Sequence, residues 1–168
     1  MNGNTVNSES PSSASWHWGG VHHVGLTVAD LERSIRFYRD VLGFALVRRR
    51  PQVDSEYVAQ QTGFPGAVLN VASFRVTPDS ALSLELVQYV NQTGPPVESG
   101  TNRAGASHLC VRVDDLRACH AELSAKGVRF KSEPVTITAG PNIGGLVVYF
   151  YDPDGYVLEL FEPQDGER

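Results

Sequence analysis

The chain repeats itself, and this limits what it can fold into more than any other feature. The stretch HHVGLTVADLERSIRFYRDVLGFALV, from His22, runs in parallel with SHLCVRVDDLRACHAELSAKGVRFKS, from Ser107. His23 aligns with His108, Val28 with Val113, Asp30 with Asp115 and Leu31 with Leu116, all at one constant offset. After a one-residue slip Gly43 aligns with Gly127. Each copy then closes on Leu-Glu-Leu, at Leu84–Leu86 and at Leu158–Leu160. The chain therefore reads as two related modules. The boundaries read as module one over 20–92, a Gly/Pro/Asn/Thr-rich linker over 91–104, and module two over 105–163. Residues 1–19 and 164–168 read as tails, the first of them disordered and rich in Ser and Asn.

Periodicity supplies the elements inside each module. Val24, Leu26 and Val28 alternate with His23, Gly25 and Thr27, the pattern of a half-buried strand. Asp30 suits a helix N-cap and Gly43 its C′ position, with Leu31, Ile35, Tyr38 and Leu42 as the apolar stripe between them. Strand-like runs follow at 44–49, 68–76 and 82–89. The second copy repeats the order. Leu109, Val111 and Val113 mark one strand face, Asp115 caps a helix that stops at Gly127, and runs at 129–131, 146–151 and 156–161 follow. Asp152–Gly155 (DPDG) is a hairpin turn between the last two. The fold class is therefore α+β, two tandem βαβββ modules. One helix covers one face of each sheet, and the other face stays open unless a second module or another chain covers it.

Strand parity places four ionisable residues on those open faces. His23 and His108 point away from the core sides of their strands. Glu85 and Glu159 point away from the flanking leucines of the two Leu-Glu-Leu runs. Each module thus offers a His on its first strand and a Glu on its last. Two imidazoles and two carboxylates make a mixed N/O donor set suited to one divalent ion: Zn, Ni, Co, Mn or Fe(II). A carboxylate on a partly buried sheet face is costly unless it is paired or metal-bound. His22 has core-side parity, His17 lies in the tail, and His120 falls on the apolar stripe of the second helix. Glu32 and Glu122 read as solvated. By parity Thr27, Cys110, Arg112, Tyr149 and Phe161 share the cup with the four, and the Gly-rich loop 138–145 is placed to close over it.

The remaining composition narrows the partners. The net charge is −5, and the only basic run is Arg48–Arg50, which argues against nucleic acid. Those arginines have two readings, a solvated strand end or a contact to an anionic substrate group. Cys110 and Cys119 show no metal or disulfide spacing. The chain has no apolar run of membrane-spanning length and no signal-peptide pattern, so a reduced, cytoplasmic protein is expected.

The quoted motifs resemble a known family. HHVGLTVADLERSIRFYRDVLGF is similar to the opening signature of the vicinal oxygen chelate superfamily, and SHLCVRVDDL and YFYDPDGYVLELFEP resemble the opening and close of its second module. The resemblance spans about residues 20 to 163. It implies paired βαβββ units forming a cupped, partly open mixed β-sheet with helices outside, around one metal at His23, Glu85, His108 and Glu159. It also implies catalysis on a small-molecule substrate. A ligand at residue 85 resembles the glyoxalase I and methylmalonyl-CoA epimerase-like branch, so a metal-dependent lyase or isomerase is expected. It would act on a small carbonyl or thioester through a metal-stabilised enolate, with Glu85 or Glu159 as the catalytic base. The alternatives within the family are an Fe(II)-dependent dioxygenase and a non-enzymatic drug-binding protein. A homodimer is expected, because open sheet faces and edges are covered that way.

Overall fold

Within each module, strand residues of one parity are buried and those of the other face outward, and this sorts the whole chain. The computed structural model describes residues 15–98 and 100–164. Module one supplies β1 (His23–Thr27), α1 (Leu31–Arg36), β2 (Ala45–Val53), α2 (Glu56–Thr62), β3 (Leu69–Arg75) and β4 (Ser83–Tyr89). Module two supplies β5 (His108–Arg112), α3 (Leu116–Ala125), β6 (Val135–Thr136), β7 (Leu146–Tyr151) and β8 (Val157–Glu162). They form two four-stranded sheets, ordered β1-β4-β3-β2 and β5-β8-β7-β6. In each, the first strand runs parallel to the last and the other neighbours are antiparallel. The α+β architecture of two repeated modules with mixed sheets is the expected one.

Local chemistry sets the helix ends. The Asp30 carboxylate accepts from the Arg33 amide at 3.0 Å, and the Asp115 carboxylate from the Ala118 amide at 2.9 Å. Each cap satisfies an orphan donor and is worth about 1 kcal/mol. Gly43 (φ +77°) and Gly127 (φ +82°) take the left-handed conformation just past the helices, which glycine adopts without a Cβ clash. Between Asp30 and Gly43 the helix widens into a π segment over Phe37–Val41 that keeps Tyr38 fully buried.

One apolar core joins the two modules. Leu26, Phe74, Leu84 and Leu86 of the first sheet belong to the same cluster as Val148, Phe150, Leu158 and Leu160 of the second, with Leu31, Ile35, Leu116 and Leu123 from the helices. Full burial of each such side chain contributes about 1.5–3 kcal/mol. A polar clasp reinforces the junction. The Tyr38 hydroxyl donates to Asp152 Oδ2 at 3.0 Å, and Arg33 and Ser34 both bond Asp154. Asp152 Oδ1 accepts from the amides of Asp154 (2.9 Å) and Tyr156 (2.8 Å). The DPDG turn is therefore a dock for α1 as well as a hairpin. Burial raises the Asp152 carboxyl from its ordinary value, and burial beside that carboxylate pushes the Tyr38 hydroxyl well up. The helix-bearing faces thus share the interior, and the open faces turn away from it.

Three features differ from the expectations. The strand expected at 129–131 is reduced to a single bridge between Phe130 and Phe150, with β6 formed farther on. His22 lies before β1 and is exposed, so its parity buries nothing. Finally, α2 is an unexpected helix that does not lie outside the cup. Its Val58 packs on Ala67, Leu69 and Val71, flanked by Val53, Val87 and Tyr89. Leu69 and Val71 share the parity of Ser73, which sits opposite Glu85, so α2 covers part of the open face of sheet one. The apolar residues on that face demand cover. Only Ser55 and the left-handed Gly63 bracket the helix, and seven residues are too few to display a period.

Of the expected tails, residues 1–14 and 165–168 lie outside the described residues. Trp16 and Trp18 meet edge to face at 4.9 Å and are both exposed. Among the described residues no helix is long and apolar enough to cross a membrane. Cys110 and Cys119 are both free thiols.

Candidate metal centre

Each sheet carries half of the expected donor set. In sheet one, β1 and β4 are parallel neighbours, with Gly25 level with Glu85 and His23 one step before on the same face. His23 Nε2 lies 3.8 Å from Glu85 Oε2. The other carboxylate oxygen, Oε1, accepts from the Ser73 hydroxyl at 3.1 Å and lies 3.6 Å from Arg50. Sheet two repeats the arrangement. Cys110 is level with Glu159, and His108 Nε2 lies 2.8 Å from Glu159 Oε2. Tyr149, opposite Glu159 on β7, packs edge-on to the His108 ring at 5.3 Å.

The two pairs do not meet within the chain. Among the described residues no group of three or more His, Cys, Asp or Glu side chains is close enough to hold one metal ion. The shared core explains this, because each pair sits on the face turned away from it. Each half nevertheless suits a divalent ion. Two ligand atoms bound to one such ion at about 2.0–2.2 Å lie roughly 3–3.5 Å from each other. The observed His–Glu separations of 2.8 and 3.8 Å bracket that range. In both halves the imidazole and carboxylate are partly exposed, so their donor atoms are accessible.

The other expected cup residues keep their parity. Thr27, Cys110, Arg112, Tyr149 and Phe161 all lie on the ligand faces by register. Burial, followed by the charge of Glu159, raises the Cys110 thiol to about 11, which leaves it a poor nucleophile at neutral pH. The loop 138–145 forms a closed hairpin between β6 and β7. The Ile137 amide bonds the Gly145 carbonyl at 2.9 Å, and the Gly144 amide bonds the Ile137 carbonyl at 2.8 Å. A Cβ at Gly145 would stand 2.7 Å from the Glu162 carbonyl oxygen, so only glycine fits there. His120 is a packed residue, 4.2 Å from the Phe130 ring. Glu32 pairs with Arg49 and Glu122 with Lys126.

Sequence reasoning missed two contributors. His22 Nδ1 lies 2.9 Å from His23 Nδ1, a contact that strand parity does not encode. Ser73 has a readable signal, since it lies on β3 with the same parity as Glu85.

Comparison with known proteins identifies the family and the fold. A family model described as the glyoxalase/bleomycin resistance protein/dioxygenase superfamily matches residues 20–160. The chain is 33% identical over 149 residues to a 2-epi-5-epi-valiolone epimerase from an Actinomyces species, covering 87% of this chain and 80% of the relative. It is also 33% identical over 142 residues to a lactoylglutathione lyase from Haemophilus influenzae, covering 83% and 90% respectively. A glyoxalase-family protein from Bacillus cereus, 20% identical, superposes with a TM-score of 0.76 over 90% of this chain and 98% of its own, which shows the shared fold. With the repeat, the paired sheets and a model match over nearly all of both modules, the chain belongs to the glyoxalase/bleomycin resistance protein/dioxygenase superfamily.

Proposed function

We propose that the protein is a divalent-metal-dependent lyase or isomerase that moves a proton next to a carbonyl or thioester group of a small substrate. We further propose that its metal centre is completed between two copies of the chain. His23 and Glu85 of one copy face His108 and Glu159 of the other, so a homodimer carries two equivalent centres. The observation that carries this reading is the pair of half-sites. Each holds one imidazole and one carboxylate at repeat-equivalent positions on an outward face. Lyase and epimerase relatives at a third identity agree with it.

A divalent ion held there supplies the charge that polarises a substrate carbonyl and acidifies the adjacent C–H. The chain's own residues do the rest. Glu85 and Glu159 are the candidate bases, each a carboxylate within reach of a substrate between the sheets. Ser73 and Arg50 hold one oxygen of Glu85 and leave the other toward His23. Tyr149 steadies the His108 ring. The apolar cluster under α2 and the Phe161 ring exclude water from part of the cup, which strengthens charge interactions inside it.

The test is metal analysis of protein purified without chelators, together with deuterium uptake at the α-carbon of small carbonyl and thioester probes. The expected result is one ion per chain, and exchange that Glu85→Ala and His108→Ala abolish. Retention of stoichiometric metal by both variants would overturn the site, and turnover coupled to oxygen consumption would overturn the reaction class.

A further inference from the structure

The chain as a whole is acidic, at −5, yet the faces that carry the His–Glu pairs are cationic. In sheet one Arg48 pairs in register with Ser73 and Arg50 with Val71, so both share the face of Glu85. Arg49, level with Ala72, points to the opposite side and pairs with Glu32 of the helix layer. The structure therefore separates the three consecutive arginines, two on the site face and one off it. In sheet two Arg112 is level with Phe161, on the face of Glu159. Lys131 lies 5.8 Å over the Tyr149 ring and Arg129 lies 4.5 Å over the Tyr151 ring, both on that same face. Arg48 and Lys131 stand at equivalent places in the repeat, beside the residues that oppose Glu85 and Glu159.

Among the described residues few acids are available to balance these charges. On the strands the faces carry Glu85 and Glu159, both assigned to the proposed metal centre. Helix α2 adds Glu56, whose carboxylate accepts from Gln60. Arg50 approaches Glu85 at 3.6 Å. The Arg48 side chain is exposed and makes no ion pair or hydrogen bond among the described residues. Once a divalent cation offsets the two glutamates, Arg48 and Arg50 on one site face and Arg129 and Lys131 on the other remain as excess positive charge. Clefts of one sign focus potential and concentrate ligands of the other.

We propose that Arg48 and Arg50 recognise an anionic group, a carboxylate or a phosphate, on the substrate, and that Lys131 extends the positive field from the facing sheet of the second copy. The inference rests on the carbonyl chemistry proposed above and adds the substrate class: a carbonyl compound that is also an anion. A guanidinium fork matches the oxygens of either group in two parallel hydrogen bonds. Because Arg50 neighbours Glu85, an anion held there keeps the reacting carbon beside a candidate base. Arg48 is a specificity residue only, whereas Arg50 also positions Glu85.

Titration calorimetry on the full-length protein, with and without added zinc, tests this with three probes: pyruvate, glycerone phosphate and uncharged dihydroxyacetone. At least one anion is expected to bind more tightly than the uncharged probe and to weaken as salt is raised. Arg48→Gln and Arg50→Gln should each weaken anion binding about tenfold or more, the scale of one lost charge-assisted contact. Arg49→Gln should leave binding unchanged. Loss confined to pyruvate identifies a carboxylate, and loss confined to glycerone phosphate identifies a phosphate. Failure of both anions to bind, equal binding of dihydroxyacetone, or an equal loss in Arg49→Gln overturns the proposal. Anion binding needs no proton transfer, so the two readings fail separately. Arginine-dependent binding without deuterium exchange discards the reaction and keeps this inference. Exchange on dihydroxyacetone with no preference for anions does the reverse.

Discussion

Mixing two crippled chains gives the sharpest test of a centre divided between copies. One chain carries His23→Ala and Glu85→Ala, which empties the half-site of sheet one. The other carries His108→Ala and Glu159→Ala, which empties that of sheet two. Each parent homodimer has only two donors at either centre. In a heterodimer the intact sheet one of one chain faces the intact sheet two of the other, while the second centre receives no donors. Random reassortment makes about half of all dimers heterodimers, each with one of two centres intact, so the mixture should hold about one quarter of the wild-type metal per chain. Heterodimers isolated through two different affinity tags should hold about half.

The assay is metal content per chain by elemental mass spectrometry, followed by exchange activity on the same samples. The substitutions remove partly exposed side chains from outward faces, so the shared core keeps its contacts. Heterodimers no richer in metal than either parent refute the division of the centre between copies. Parents that keep stoichiometric metal refute the four ligands themselves.

The clasp between modules makes further expectations. Tyr38→Phe should cost about 1.5–3 kcal/mol in urea unfolding, because it takes a hydrogen bond from a buried carboxylate, and a double-mutant cycle with Asp152→Asn should recover most of that as coupling. The folded-state pKa of Asp152 is raised, so its contribution to stability is fully present below the ordinary carboxylate value and is lost as pH rises through the raised one. Measured against Asp152→Asn, which does not titrate, the wild type should therefore gain stability as pH is lowered from neutrality toward 4; an unchanged gap contradicts the burial argument. Gly145→Ala should cost about 1–3 kcal/mol, since its Cβ meets the Glu162 carbonyl at 2.7 Å, and thermal unfolding reads this directly. Val58→Ala should speed amide exchange in α2 and leave β5–β8 protected, because Val58 belongs to a cluster separate from the main core.

Much of the fold was legible because a strand has a period of two. Val24, Leu26 and Val28 fix the buried side of β1, and His23 and Thr27 follow onto the other side without any knowledge of the partner strand. The same holds for Glu85 between Leu84 and Leu86. The helix ends were legible because Asp30, Gly43, Asp115 and Gly127 act within a few residues of themselves. Elements that depend on distant surroundings were not legible. Helix α2 exists because Leu69, Val71 and Val87 leave an apolar patch on the site face. The run at 129–131 pairs with β7 through only one bridge at Phe130, flanked by two backbone bonds, although its alternation is regular. Arg48–Arg50 shows the same boundary. The sequence left open whether these arginines were solvated or turned to a substrate, and only β2–β3 register separates Arg49 from its neighbours by face.

Which sheets face each other across a metal is a different kind of question, and the repeat itself hides the answer. Both modules present the same donors from the same strands, so pairing within one chain and pairing between two chains satisfy the same local pattern. The choice lies in what the helix-bearing faces do. Leu86 and Phe74 share their core with Leu158 and Phe150, and Tyr38 reaches across to Asp152. Once those faces are spent on joining the modules, the parts of the open faces that α2 leaves bare are free to meet a second molecule, as the proposed homodimer requires. In the proposed centre, the residues that decide where the metal binds are thus not its ligands. They are the apolar side chains behind the ligand strands and one buried tyrosine–aspartate bond, which is why an intact ligand motif cannot reveal whether its centre belongs to one chain or to two.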